Sequence, residues 1–443
     1  MQKLLNLFSP FYKYLLTAVL IVVPLFPKFP AFRISGTYVA VRGEDFLIFA
    51  TLTLFLIPIF LNLKTLFKDN TIRAMVLFLL IGLISLITGV YLTQTISNTI
   101  GLLHWVRRIE YLSLFGVGFV YSKFITSGDK TKSNEFFEYV LKVLLLVNLF
   151  MFLYGIGQRY FNLPVIITQN EEYSKGVALR WTPGAHINSS FAGHYDLASY
   201  LVLTMPFFIS SFFYFKNKTS KVILGLSIVF GFWMFSVAVS RISILAFLMA
   251  TTISLFLLKK YKEIIVVVAI SVIVFGFSAD LRLRYGRLID VVKQKISSLV
   301  VVYAQEGGNV NEDRSMSIRL NVEWPRAMRA FYKNPLLGTG YSSITLATDN
   351  DYLRALGETG ILGLAAFVLI FINLLKTLFN FKFDKGEIDN NFSSVLTASM
   401  IGSLIGILVT SVFLDIFEAS KFAIIFWLLI GLTIGQISKK QYA

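Results

Sequence analysis

Apolar residues in this chain gather into blocks of roughly 17 to 22, separated by short polar breaks, and such a block spans a hydrocarbon core of about 30 Å as an α-helix. Reading each block against its breakers predicts spans near 11–27, 45–63, 74–91, 108–122, 137–157 and 195–215. A second set is predicted near 221–239, 241–258, 263–279, 358–378, 393–413 and 421–437, with the first pair nearly continuous. The expected fold is all-α: one polytopic transmembrane helical bundle of about 12 spans over residues 1–443. Two connections are long. Residues 158–194 are rich in Gly, Pro and polar side chains, and residues 280–357 are expected to be partly helical. Within the second, 281–302 has the spacing of a surface-lying helix with an arginine-studded face. Residues 316–332 read as another helix, with Pro325 marking a kink or its start, and Gln305 to Arg314 as the polar segment between them.

Composition sharpens this picture. Of 443 residues, 56% are hydrophobic and only 15% charged, with mean hydropathy +0.71, which excludes an ordinary soluble globule. The absence of cysteine excludes disulfides, thiolate metal sites and cysteine nucleophiles. No small-residue cleavage site follows the first apolar block, so it reads as a retained span. The net charge of +16 has no compact basic domain to carry it, which argues against nucleic acid and for membrane topology plus an anionic ligand.

The two basic residue types divide. Lys64, Lys68, Lys130, Lys132, Lys216, Lys218, Lys221, Lys259, Lys260 and Lys262 fall on one side, with Lys382, Lys385, Lys439 and Lys440. The positive-inside bias makes that side cytoplasmic and puts both termini there. Of 16 arginines, only Arg73 shares it; Arg107, Arg108, Arg180, Arg241, Arg319, Arg326 and Arg354 are among those expected outside. A guanidinium fork there suits bidentate phosphate binding, while pairing with loop carboxylates and lipid headgroups fits the same positions.

The second long loop ends in Gly338-Thr339-Gly340-Tyr341-Ser342-Ser343 and runs on through Asp349-Asn350, nine residues, and Gly360-Ile361-Leu362-Gly363. This is an acidic, polar stretch leading into a membrane helix, where Gly360 and Gly363 are expected to allow close helix packing. The polar pair, the nine-residue spacing and Gly-x-x-Gly resemble the signature of the O-antigen ligase and Wzy-type polymerase superfamily. Three further passages resemble the same family: Ser189-Ser190-Phe191-Ala192-Gly193-His194-Tyr195-Asp196, Ser240-Arg241-Ile242-Ser243, and Arg319 followed by Trp324 and Asn334-Pro335-Leu336-Leu337-Gly338-Thr339-Gly340. The ligase branch of that family carries histidine where this chain has Asp349, and an aspartate there looks more like the polymerase branch.

The resemblance implies transfer of a glycan from a polyprenyl-diphosphate-linked oligosaccharide donor to a sugar hydroxyl of an acceptor glycan. The setting it implies is the outer face of a bacterial cytoplasmic membrane, with a chain-length regulator among the partners and no cofactor or metal. In this reading Arg241 and Arg319, with Arg180, neutralise the leaving diphosphate, and Asp349 accepts or orients the acceptor hydroxyl as general base. Nearby arginines would weaken Asp349 as a base, and its alternative role is a cap on the helix that follows. His194, Asn350, Arg354 and Glu358 join Arg180 as candidates for substrate binding; Glu358 is equally suited to pair with Arg354. The competing readings are a ligase moving a finished glycan to a lipid core or protein, a lipid-linked oligosaccharide flippase, and a non-catalytic assembly partner. No internal repeat supports the flippase.

Overall fold

The computed structural model describes residues 9–27, 30–37, 39–125, 130–163, 186–278, 317–344, 347–383 and 391–440. Its long helices are α1 (Ser9–Leu25), α2 (Gly43–Leu61), α3 (Asn70–Tyr91), α4 (Asn98–Val120), α5 (Lys130–Tyr160), α6 (His194–Tyr214) and α7 (Lys218–Ala238). They continue with α8 (Arg241–Leu257), α9 (Tyr261–Phe277), α10 (Trp324–Lys333), α11 (Asp351–Phe379), α12 (Phe392–Thr410) and α13 (Ser420–Lys440). A short antiparallel hairpin, β1 (Pro30–Arg33) and β2 (Ala40–Arg42), joins α1 to α2. All helices but α10 coincide with an expected apolar block. Eight of them (α2, α3, α5 to α7, α11 to α13) are long and apolar enough to cross a membrane, and the chain is an all-α polytopic membrane protein.

Polar caps open many of these helices. Asp69 accepts from the amides of Thr71 and Ile72 at the start of α3, Ser97 from Ile100 at α4, and Asn217 from Thr219 at α7. Three helices begin well before hydropathy places them: α4 at Asn98, not near 108, α5 at Lys130, not near 137, and α11 at Asp351, not near 358. In α4 and α11 the polar and charged side chains of the added turns are satisfied by other segments. Trp105 Nε1 donates to the Leu79 carbonyl at 3.0 Å, and Arg107 Nη2 donates to Ala40 at 3.0 Å. Polarity along the chain therefore marked a break where tertiary pairing permits a helix.

The core follows α13, which is buried along its length. Gly431 and Gly435 let it approach the backbone of α4, where an added Cβ would run into the carbonyls of Phe115 and Phe119. Large apolar side chains on the outside, such as Phe49, Ile57 and Ile265, are well exposed, as hydrocarbon contact requires.

One end of the bundle gathers the polar elements. There Lys421 Nζ, at the start of α13, donates to the carbonyls of Pro24 in α1 and Ser190 before α6. Arg42 of β2 donates to Ser420, and the α11 amide of Asp351 donates to Ser411 beyond α12 at 2.9 Å. The returns α6 to α7 and α7 to α8 bring the start of α8 to this same end.

Candidate active site

The segment before α10 is a π-turn, Arg319–Glu323, closed by the Trp324 amide on the Arg319 carbonyl. Helical backbone runs from 317 to 333, and Pro325 stands just past the π-turn, in the first turn of α10. The wide turn buries Arg319, which is 8% exposed. Its Nε and Nη2 both donate to Asp349 Oδ2, at 3.0 and 2.8 Å, and Tyr195 of α6 hydrogen-bonds it as well. Burial alone would lower the guanidinium pKa, but Asp349 and Tyr195 outweigh it and hold it above its ordinary value. Arg319 is therefore a permanent buried cation.

Asp349 itself occupies the left-handed region with φ +48°, a conformation Asp tolerates better than most residues. The helix cap is its neighbour: Asn350 accepts from the Leu353 amide at 2.9 Å, which leaves the Asp349 carboxylate turned to Arg319 instead of to α11. Both backbone flanks of Asp349 are clamped by one buried carboxylate. Asp415 accepts from Thr348 at 2.7 Å and from Asn350 at 3.0 Å.

Asp415 also accepts from Arg354 Nη2 at 2.7 Å. Burial would raise its pKa, yet Arg354 and the two amides hold it below the ordinary carboxylate range. From Arg354 the network runs to Glu358 at 3.4 Å and to Glu418 at 3.8 Å, and Glu418 in turn pairs with Arg108. Glu358 accepts from the Ser342 amide at 3.0 Å. Arg108, Arg354, Glu358 and Glu418 line a cavity of about 40 Å³, room for a few waters and far less than a sugar ring.

The Gly-x-x-Gly sequence does something other than the expected close packing. At Gly360, φ +67° and ψ −171° break α11, and the loop before it fills the gap. Thr339 and Gly340 donate to the carbonyls of Gly357 and Glu358 at 3.1 and 2.8 Å, while Ile361 donates to Pro335 at 2.9 Å. The orphaned groups at the break are thus satisfied by Asn334–Gly340, which ties that loop rigidly to the α11 end carrying Arg354 and Glu358.

Of the residues singled out in sequence, Arg319 and Asp349 are brought into direct contact. His194 opens α6 with its ring 4.0 Å from Tyr195 and 5.1 Å from His186, and so adjoins the Arg319 partner. Asn350, Arg354 and Glu358 sit in the supporting network. Arg241 is the half-buried first residue of α8, beside the buried Ser240–Ser243 hydroxyl pair. Arg180 lies outside the described residues, as do 281–302 and 305–314. Among the described residues no group of three or more His, Asp or Glu is disposed to hold a metal ion.

Sequence reading missed Asp415, Glu418 and Glu323. Asp415 lay in plain view as a carboxylate between two apolar blocks, a position that marks function or pairing. Glu323 carried no such signal. Desolvation, then Asp349 and Asp415, push its pKa up to about 7 against the opposing pull of Arg319 and Arg326.

The family model described as O-antigen ligase (Wzy_C) matches residues 226–368, from within α7 through the break in α11. This segment belongs to the O-antigen ligase superfamily. The match supports glycan transfer of the ligase type in general by a membrane enzyme. The match contains Arg241, Arg319, Asp349, Arg354 and Glu358, while His194 lies before it. No curated protein matches the chain.

Proposed function

We propose that this O-antigen ligase relative polymerises surface polysaccharide, transferring an oligosaccharide from a polyprenyl diphosphate carrier to a sugar hydroxyl on the outer face of a bacterial cytoplasmic membrane. The observation that carries the reading is the ion pair of buried Arg319 with half-buried Asp349 at the polar end of the bundle. Diphosphate departs readily when its developing charge meets a preorganised cation, and Arg319 retains N–H groups beyond the two that Asp349 takes. Arg241, at the start of α8, is the second candidate for the diphosphate. Asp349 orients the acceptor hydroxyl for direct displacement at the anomeric carbon, without metal and with inversion. An aspartate here, where the ligase branch has histidine, favours polymerase. Arg354, Glu358 and Asn350 serve by holding the Asp349 turn in place, and His194 lies toward carrier or acceptor.

The test is product analysis in nanodiscs with a carrier-linked repeat unit, wild type beside Asp349→Asn. A ladder of lengthening glycans, lost in the variant, supports the reading. Transfer only to a supplied lipid core would make the protein a ligase, no transfer would favour transport or assembly, and retained anomeric configuration would overturn direct displacement.

A further inference from the structure

Glu323 is the second carboxylate of this site. It closes the π-turn that begins at Arg319, and its Oε2 is buried with no hydrogen-bond partner among the described residues. The charged groups around it are Asp349, Asp415, Arg319 and Arg326, from its own turn, from α10 and from the connections before α11 and α13. Arg326 Nη1 and Trp324 Nε1, next along the same segment, are likewise buried without a partner among the described residues. A native protein rarely leaves a buried carboxylate oxygen unsatisfied unless a ligand or water completes it. Asp349 differs in kind: its Oδ2 already accepts two N–H bonds from Arg319.

We infer that Glu323 is the proton acceptor for the acceptor hydroxyl, with Asp349 and Arg319 as the positioning pair beside it, an assignment that rests on the glycosyl-transfer reading above. As the acceptor oxygen bonds to the anomeric carbon, the carbon–oxygen bond to diphosphate breaks. Its electron pair leaves with the carrier diphosphate, and the hydroxyl proton passes to the Glu323 carboxylate. A base serves best when its pKa lies near the working pH, and two acidic neighbours with burial bring Glu323 to about 7. Arg326 Nη1 and the indole N–H of Trp324, unpartnered among the described residues, are the donors this segment offers to the acceptor sugar's oxygens.

The experiment uses full-length protein in nanodiscs with a polyprenyl-diphosphate-linked oligosaccharide, comparing wild type, Glu323→Gln and Glu323→Asp across pH 5 to 9. Wild-type kcat rises with pH and levels above about 7, where Glu323 is ionised. Glu323→Gln loses about 100-fold or more in kcat and flattens that rise, with donor KM within a few-fold, the usual size of a general-base deletion. Glu323→Asp restores part of the rate and the rise. Gln activity within twofold of wild type, or an unchanged pH profile in that variant, overturns the assignment. If Glu323→Gln fails to give monodisperse protein, Glu323→Asp decides: an unaltered kcat and pH midpoint would sink the inference. Wild type that transfers nothing refutes the glycosyl-transfer reading and this one with it, whereas an active wild type with an indifferent Glu323 refutes this one alone.

Discussion

Arg319 and Asp349, 30 residues apart, meet through two N–H bonds to a single carboxylate oxygen, and both residues stand in unusual backbone, one in a π-turn and one at positive φ. Strained or rare backbone holds only where its surroundings over-determine it, and it gathers at functional sites. The clamp from Asp415 onto Thr348 and Asn350 supplies that determination.

Arg319→Lys keeps a positive charge but cannot make two parallel bonds to Asp349. We expect turnover of a carrier-linked substrate to fall by about 100-fold or more, the scale of losing a preorganised charge contact. The variant should stay monodisperse by size-exclusion chromatography. Turnover near wild type would show that the pair is structural only.

Asp415→Asn removes the charge that faces Arg354 and weakens both clamps on the Asp349 turn. Breaking a buried pair on one side costs about 3–5 kcal/mol, so the detergent-solubilised variant should melt well below wild type. An unchanged melting temperature in Asp415→Asn would contradict the network.

The same pair sets an acid limit. Asp415 is held below its ordinary range, so its contribution to stability is present at neutral pH, above its unfolded value. That contribution is lost as pH falls through the lowered folded value. Melting scans of wild type and Asp415→Asn should therefore converge in strong acid and separate above it; parallel curves would refute the assignment.

Gly360→Ala places a side chain at φ +67° and against the Leu336 carbonyl. The left-handed backbone alone costs about 1–2 kcal/mol, and the loop must also withdraw from the break. Gly116→Ala, with open space around it, is the control and should leave the melting temperature unchanged or slightly higher. Equal stability of the two variants would argue against the loop-filled break.

Sidedness can be read directly because the chain has no native cysteine. Tyr332→Cys, at an exposed position of α10, should react with an impermeant maleimide in cells whose outer barrier is permeabilised. Thr219→Cys, between Lys218 and Lys221, should react only after lysis. The reverse pattern would move the site to the cytoplasmic side.

Much of the frame was legible because apolar block length is a one-dimensional property: a run long enough to cross hydrocarbon reads the same wherever the chain goes next. The ends were less legible where polar and charged side chains of the added turns find distant partners, as Arg107 does at Ala40 and Arg354 at Asp415. Gly360 shows the same limit. Its surroundings read as one uninterrupted apolar helix, and only the approach of Asn334–Gly340 turns that glycine into a break.

The sequence by itself determined the all-α membrane bundle and the polar motif ahead of α11, which composition and spacing carry locally, and its resemblance to the O-antigen ligase superfamily made Arg319 and Asp349 candidates. Tertiary structure alone decided which arginine meets which carboxylate. It sank Arg354 and Glu358 into a network with Asp415 and Glu418, made Asn350 the cap in place of Asp349, and left Glu323 Oε2 buried without a partner among the described residues. The physical reason is that a charge takes its role from burial and from its neighbours, and across 30 to 60 residues of intervening chain neither is written in the local pattern.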